Sequence, residues 1–218
     1  MSETKLTPAG LSALMCARIC HDLVSPIGAL GTALEVLDDE ANIDMHEDAM
    51  NLVRNSARQA SAKLQYLRLA FGSGGSAPGM IGVADLIKLA DGVFGESKVN
   101  LVWDAQAPVL EKTAARLLLN LIMLGANAIP FGGELHITPA DHEDTVSLTL
   151  KSTGNKARLV DFVPATFAGK APADGFDGRS IQPFYAGMIV REVKGKIDAS
   201  IDGNTVTIQA VLPKVDVL

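Results

Sequence analysis

The chain has 218 residues, of which 48% are hydrophobic and 20% charged, and its formal net charge is -6. This composition predicts a folded protein with a sizeable core, in one large or two small domains. The acidic balance disfavours nucleic acid as a partner. The N-terminus lacks an apolar signal segment, and no uninterrupted apolar run approaches the roughly 18 residues that span a bilayer. We therefore expect a cytoplasmic protein that does not enter the membrane.

A first long helix is predicted to begin at Pro8, because Thr7 can cap it and proline fits the first helical position. Its apolar residues recur in alternating steps of four and three residues, at Cys16, Cys20, Leu23, Ile27, Leu30, Leu34 and Leu37. This repeat is typical of a helix in a bundle. His21 lies beside the seam rather than in it, and Pro26 is expected to kink the helix just after it.

A second helix is predicted from Asp44 to Phe71, after a polar break over residues 38–42. Its seam consists of Val53, Ala57, Ala60, Leu64, Leu67 and Phe71. The two helices form an antiparallel hairpin that places His21 opposite residues 62–66. Because one hairpin cannot bury both seams, we predict a homodimer with a four-helix bundle. The alternative is a monomer in which a second domain covers the seams.

The domain boundary is predicted at a linker over residues 73–80, which is rich in glycine and serine. Residues 1–72 then form the hairpin domain and residues 81–218 a second domain. That domain has an α+β pattern, a mostly antiparallel sheet with helices on one face. Its helices are predicted at residues 83–94, 113–129 and 183–193, its strands at 99–103, 134–138, 145–151, 197–201 and 205–212, and irregular chain at 154–180.

Cys16 and Cys20 lie four residues apart on one helix. They can be a redox pair or two metal ligands, but we favour two small apolar core residues, because helical geometry opposes a disulfide between them. No set of Cys, His, Asp or Glu has the spacing of a zinc site, so no metal site is predicted.

The segment from His21 to Pro26 reads HDLVSP and fits the pattern H-[DE]-x-x-x-P. With a helical hairpin, a linker and an α+β domain, it resembles the core of sensor histidine kinases. The ATP-binding positions of that family depart from its pattern. With Asn120 and Leu121 aligned to the start of the family's magnesium-binding motif, Leu124 stands where an asparagine would hold magnesium, and Asn127 lies three residues late. Ser152 stands where an aspartate would contact adenine, and the lid before the last helix has the single glycine Gly178.

A kinase-like chain that keeps the histidine and loses the ATP residues resembles the ChpT-type histidine phosphotransferases. The resemblance implies a helical hairpin that forms a dimeric four-helix bundle, followed by a degenerate histidine-kinase-type ATPase-like α/β sandwich. It also implies a cytoplasmic homodimer that accepts phosphate from the receiver domain of a CckA-type hybrid kinase. The phosphate then passes to response regulators of the CtrA and CpdR type. The resemblance further implies that no ATP is bound and that this chain carries no cofactor, with Mg²⁺ expected on the receiver partner.

The resemblance makes His21 the phosphoacceptor, whose imidazole is a competent nucleophile near neutral pH. Asp22 then orients the imidazole or accepts its proton, the alternative being a solvated helix charge. Arg18 can neutralise charge near the phosphoryl group or be an ordinary surface cation. Candidate partner-binding residues surround His21 on its own helix and across the hairpin, and these are Arg18, Val24, Ser25, Gly28, Lys63, Tyr66 and Leu67.

Two other functions compete with this one. An active ATP-dependent histidine kinase core is the first, and the missing ATP-binding residues speak against it. The second is a non-enzymatic interaction module built on the kinase fold, which has no need of a histidine followed by an acid and a proline.

Overall fold

The computed structural model describes residues 6–72 and 79–214. The hairpin consists of two long helices, α1 (Pro8–Asp38) and α2 (His46–Phe71), with a 3-10 helix (Glu40–Met45) between them. The Thr7 side chain accepts a hydrogen bond from the Gly10 amide and caps α1, as predicted. Helix α1 continues through Pro26, which is buried against its surroundings and does not end the helix.

The line of residues that α1 buries is shifted by one position from the predicted seam. Pro26 and Ala33 are buried, whereas the seam residues Ile27 and Leu34 are 54% and 51% exposed. Small side chains at the buried positions let the helices approach closely, and a heptad pattern shows only where the large apolar residues are. Much of the predicted seam therefore lies on the outer surface of the hairpin.

Cys16 and Cys20 are free thiols with exposed side chains. The interpretation of both as core residues is therefore wrong for the single chain. They belong to the same outward-facing seam as Ile27 and Leu34, because all four positions share the predicted heptad line.

The second domain contains a five-stranded sheet with the order β2-β4-β5-β7-β6, in which β2 and β4 are parallel and the other neighbours antiparallel. A small antiparallel ribbon joins β1 to β3. The elements are β1 (Met80–Gly82), α3 (Val83–Phe94), β2 (Val99–Trp103), β3 (Val109–Glu111), α4 (Lys112–Ala128), β4 (Gly133–Asp141), β5 (Thr145–Thr153), α5 (Phe162–Phe167), α6 (Ile181–Glu192), β6 (Lys196–Asp202) and β7 (Thr205–Pro213).

The predicted α+β pattern is confirmed, and the bounds of α3 and β2 match the prediction. Alternate residues of β5 and β7 are buried against α4 and α6, and the other face of the sheet is open to solvent. The structure adds α5 inside residues 154–180, which we predicted to be irregular. Six residues with a central proline give too short a periodic signal to reveal a helix.

The hairpin packs on the second domain through the C-terminal third of α2. The Tyr66 hydroxyl donates to the Leu119 carbonyl at 2.7 Å. The Asn120 side-chain amide donates to the Ala70 carbonyl at 2.9 Å. All four residues lie in the interface between α2 and α4, so the two helices are joined by buried polar contacts. The predicted linker falls mainly outside the described residues, and β1 begins at Met80.

Candidate functional site

His21 lies on the outer face of α1, and its side chain is 83% exposed. Its Nδ1 atom is 3.3 Å from Asp22 Oδ1. A carboxylate in that position accepts a hydrogen bond, which favours a proton on Nδ1. The other ring nitrogen, Nε2, then carries the lone pair.

Asp22 is held from three directions. Its Oδ2 atom accepts a hydrogen bond from Arg18 Nε at 3.0 Å, and its backbone carbonyl accepts one from Lys63 Nζ at 3.2 Å. Its Oδ1 atom is the one that meets His21. The two carboxylate oxygens therefore have separate partners, and the Lys63 contact joins α2 to this part of α1.

Arg18 is partly buried and reaches beyond the hairpin. One guanidinium nitrogen, Nη1, donates to the carbonyl of Gly178 at 3.3 Å, in the loop just before α6. Arg18 therefore connects Asp22 with the second domain. The interpretation of Arg18 as an ordinary surface cation is wrong, because two of its nitrogens have fixed partners.

The loop that Arg18 contacts is held by Asp177. Asp177 Oδ1 accepts hydrogen bonds from the Ser180 hydroxyl at 2.7 Å, the Ser180 amide at 2.7 Å and the Arg179 amide at 3.0 Å. The hydrogen bond from the Ser180 hydroxyl is the main reason that the pKa of Asp177 lies below its ordinary value. The loop is thus closed on itself, and its Gly178 carbonyl points to the hairpin.

A cleft of about 230 Å³ opens beside this network, between the hairpin and the second domain. Its lining combines apolar side chains with charged and amide groups. The lining residues are Arg18, Asp22, Lys63, Tyr66, Leu67, Val93, Phe94, Met123 and Asn127.

Three of the four predicted partner-binding residues on α1 form one exposed stripe with His21, whereas the fourth, Arg18, is partly buried. Val24 is 66% exposed, and Ser25 and Gly28 are exposed as well. A Cβ atom added at Gly28 would meet nothing within 4 Å. Because residues three, four and seven positions after His21 share its helix face, the structure brings these four together on open surface.

The two predicted partner-binding residues at the end of α2 are buried instead. Tyr66 is 1% and Leu67 4% exposed, so neither can meet a partner directly, and that prediction is wrong for both. The reason is that this face of α2 covers α4 and the floor of the cleft. Burial also raises the pKa of the Tyr66 phenol well above its ordinary value.

The positions that resemble kinase ATP motifs have structural roles here. Asn120 is fully buried and donates to Ala70 and to Arg116. Ser152 is fully buried beneath Gly125, where an added Cβ atom would lie 2.9 Å from the Ser152 hydroxyl. Among the described residues, no group of three or more His, Cys, Asp or Glu could hold a metal ion.

Comparison with known proteins supports the resemblance. Residues 83–205 match the family described as histidine phosphotransferase C-terminal domain. The chain is 37% identical over 192 residues to the protein phosphotransferase ChpT of Brucella abortus strain 2308, covering 88% of this chain and 90% of that protein. The chain belongs to the ChpT-type histidine phosphotransferase family.

Solved structures agree with membership of the ChpT-type family. A bacterial phosphotransferase solved at 1.7 Å superposes with a TM-score of 0.83 and 33% identity, covering 96% of this chain and all of that one. The catalytic domain of the histidine kinase ThkA is a more distant neighbour, with 17% identity and a TM-score of 0.49 over 63% of this chain and 96% of its own. The match to the bacterial phosphotransferase includes both the helical hairpin and the α/β domain that follows it, since it covers 96% of this chain.

One part of the site had no signal in the sequence. Arg18, Asp22 and His21 are neighbours in the chain, but Gly178 contacts Arg18 through a backbone carbonyl from a distant segment. A backbone carbonyl is present at every residue, so only the resemblance of residues 177–183 to a kinase lid pointed to this loop at all.

Proposed function

We propose that His21 Nε2 accepts a phosphoryl group from the aspartyl phosphate of one receiver domain and returns it to the aspartate of another. The observation that carries this proposal is the exposed imidazole whose Nδ1 faces Asp22. In this proposal the donor is the receiver domain of a CckA-type hybrid kinase, and the acceptors are response regulators of the CtrA and CpdR type.

The transfer is an in-line displacement at phosphorus. The Nε2 lone pair forms the N–P bond while the bond between phosphorus and the receiver's aspartyl oxygen breaks, and the carboxylate leaves with that electron pair. The ring then carries a positive charge, which the Asp22 carboxylate stabilises at Nδ1–H. No base is needed to deprotonate Nε2. The receiver supplies Mg²⁺ and the groups that bind the phosphoryl oxygens, so positioning is this chain's main contribution.

The stripe of Val24, Ser25 and Gly28 serves as the receiver's landing surface in this proposal. The receiver's phosphorylated aspartate must come within bonding distance of Nε2, so helix positions around His21 are within its contact area. The glycine leaves room for a partner backbone or side chain to approach α1 closely.

A second copy of the chain covers the outer seam of the hairpin. Ile27 and Leu34 of α1 are more than half exposed in the single chain and share the heptad line of Cys16 and Cys20, and Leu64 of α2 is more than half exposed as well. Large apolar residues in a continuous stripe are typical of an interface. Two hairpins joined along this seam form the four-helix bundle.

The protein acts in this proposal in the cytoplasm, without ATP. Helix α1 is long and apolar enough by length and composition to cross a membrane. However, it carries the site and contacts α2 and the second domain through Asp22 and Arg18. The altered positions at Leu124, Ser152 and Gly178 support the absence of ATP chemistry, because the first of these side chains cannot ligate magnesium.

The decisive experiment incubates the purified protein with a receiver domain that carries labelled aspartyl phosphate. We expect acid-labile, base-stable label on the wild type and none on H21Q. The control is the same receiver alone. Label on H21Q would overturn the role of His21, label from ATP without a receiver would identify a kinase, and no label in either case would identify an interaction module.

A further inference from the structure

We infer that the loop of residues 177–180 positions the imidazole of His21 through Arg18 and Asp22, so that the second domain sets the geometry of the phosphotransfer site. This inference rests on the proposed role of His21. It makes Arg18 a positioning residue. It also assigns a role to the loop before α6, the segment that resembles a kinase lid.

The loop is suited to hold another group in place because its own side chains hold it. Asp177 Oδ1 accepts three hydrogen bonds from Arg179 and Ser180, and Ser180 is almost fully buried at the start of α6. The Gly178 carbonyl lies inside this closed turn. Its position is therefore set by α6 and not by the hairpin it contacts.

Arg18 can transmit that position because its planar guanidinium donates from two nitrogens. Nε binds Asp22 Oδ2 at 3.0 Å, and Nη1 binds the Gly178 carbonyl at 3.3 Å. These two donors have a fixed angle between them. If Gly178 fixes the plane of the guanidinium, the direction in which Nε meets Asp22 is fixed as well. A lysine has one nitrogen at the end of a flexible chain and cannot reproduce this.

Asp22 links Arg18 to His21, because one carboxylate oxygen contacts each of them. With Oδ2 held by Arg18, the carboxylate plane cannot turn freely, and Oδ1 stays 3.3 Å from His21 Nδ1. His21 is otherwise free to rotate, since its side chain is 83% exposed. The network thus selects both the ring orientation and the tautomer with the proton on Nδ1, which leaves the Nε2 lone pair for phosphorus.

Positioning of this kind acts on the rate of the chemical step. A misplaced reacting group costs up to about 100-fold in rate. We therefore expect R18Q to lower the maximal rate of phosphotransfer by about 10- to 100-fold with little change in the receiver concentration at half-maximal rate. R18K restores only part of the rate, because it can pair with Asp22 or with Gly178 but cannot hold both in plane.

The experiment compares R18Q, R18K and D177A with wild type and with R54Q. The last is the matched control, because it removes the same charge from an exposed helix arginine whose side chain, within the described part of the chain, bonds to Asn51 of its own helix. Transfer from a phosphorylated receiver is measured over a range of receiver concentrations. In parallel, the nitrogen NMR spectrum of the imidazole of His21 reports which nitrogen carries the proton.

We expect R18Q and D177A to lower both the maximal rate and the fraction of His21 with the proton on Nδ1, while R54Q behaves as wild type. D177A leaves Arg18 and Asp22 intact, so a loss there comes from the loop. An unchanged maximal rate and tautomer in R18Q would overturn the inference, as would a change only in half-maximal receiver concentration. If H21Q accepts phosphate, the proposed function itself fails. If H21Q does not accept phosphate but R18Q and D177A keep the wild-type maximal rate and tautomer, this inference alone fails.

Discussion

The side-chain amide of Asn120 donates to the carbonyl of Ala70 at 2.9 Å, across the interface between α4 and α2. The same amide donates to the Arg116 carbonyl within α4 at 2.9 Å. Asn120 thus joins the two domains at a position where the resemblance to kinases places the start of an ATP motif. Its side chain has a structural role in this chain.

Replacing Asn120 by leucine should lower the free energy of unfolding by about 1–3 kcal/mol, because the Ala70 carbonyl is left buried without its donor. Urea unfolding followed by circular dichroism measures this. The control is N127L, which makes the same exchange in α4 at an exposed position. Equal stability of N120L and N127L would contradict the role of the Asn120 contact.

The buried Tyr66 phenol makes the free energy of unfolding depend on pH in the alkaline range. Burial raises its pKa above the ordinary value of 10.0. The folded state therefore keeps the proton where the unfolded state has lost it, and this contribution is complete below about pH 10 and falls as the pH rises through the folded value. Y66F should be about 1 kcal/mol less stable near neutral pH, because it lacks the hydrogen bond to Leu119.

The measurement is the urea midpoint of wild type and Y66F at several values between about pH 8 and about pH 11. The wild type should lose stability more steeply than Y66F above about pH 10. Parallel curves would show that the phenol does not titrate differently in the two states.

The proposed bundle predicts that an acidic side chain in the outer seam separates two copies. L34D should be monomeric and should keep its helical content, because residue 34 is exposed in the single chain and a buried unpaired charge at an interface is strongly unfavourable. Light scattering after size exclusion measures the mass. The control is V160D, an equivalent change at an exposed site of the second domain. A dimeric L34D or a monomeric wild type would contradict the bundle.

Two substitutions at Gly28 allow the landing surface to be separated from helix stability. Gly28 lies in α1 with open space where a Cβ atom would be. G28A and G28Q should each raise the free energy of unfolding by about 0.5–1 kcal/mol, because alanine and glutamine are better helix formers than glycine. Only G28Q should clearly raise the receiver concentration at half-maximal transfer, since its long side chain fills the space beside His21 on the same helix face. Equal transfer kinetics for the two variants would remove Gly28 from the landing surface.

Local patterns predicted much of the fold. The bounds of α3 and β2, the hairpin and the mostly antiparallel sheet follow from apolar periods, caps and glycines that lie within a few residues of each other. Tyr66 is an example of a contact that local patterns cannot predict. Its helix face could be predicted, but the element that covers this face, α4, is distant in sequence.

The candidate site likewise has parts that local sequence predicts and parts that depend on distant segments. His21 and Asp22 could be proposed from the sequence because an H-[DE]-x-x-x-P segment is local. The line of contact in the hairpin was displaced by one residue, since alanine and proline at positions 33 and 26 pack more closely than the larger neighbours that define the pattern. The partner of Arg18 was not predictable, because it is a carbonyl whose place depends on the whole second domain.

The buried contacts between α2 and α4 also affect the free energy with which a partner can bind to both domains. Separating the two domains would exchange the hydrogen bonds of Tyr66–Leu119 and Asn120–Ala70 for bonds to water, at a net cost of about 0.5–1.5 kcal/mol each. It would also expose the apolar residues packed around them. The undocked arrangement is thus a minor population. A protein that touches both the hairpin and the second domain meets a composite surface assembled in advance, so none of its affinity is lost to ordering the two halves.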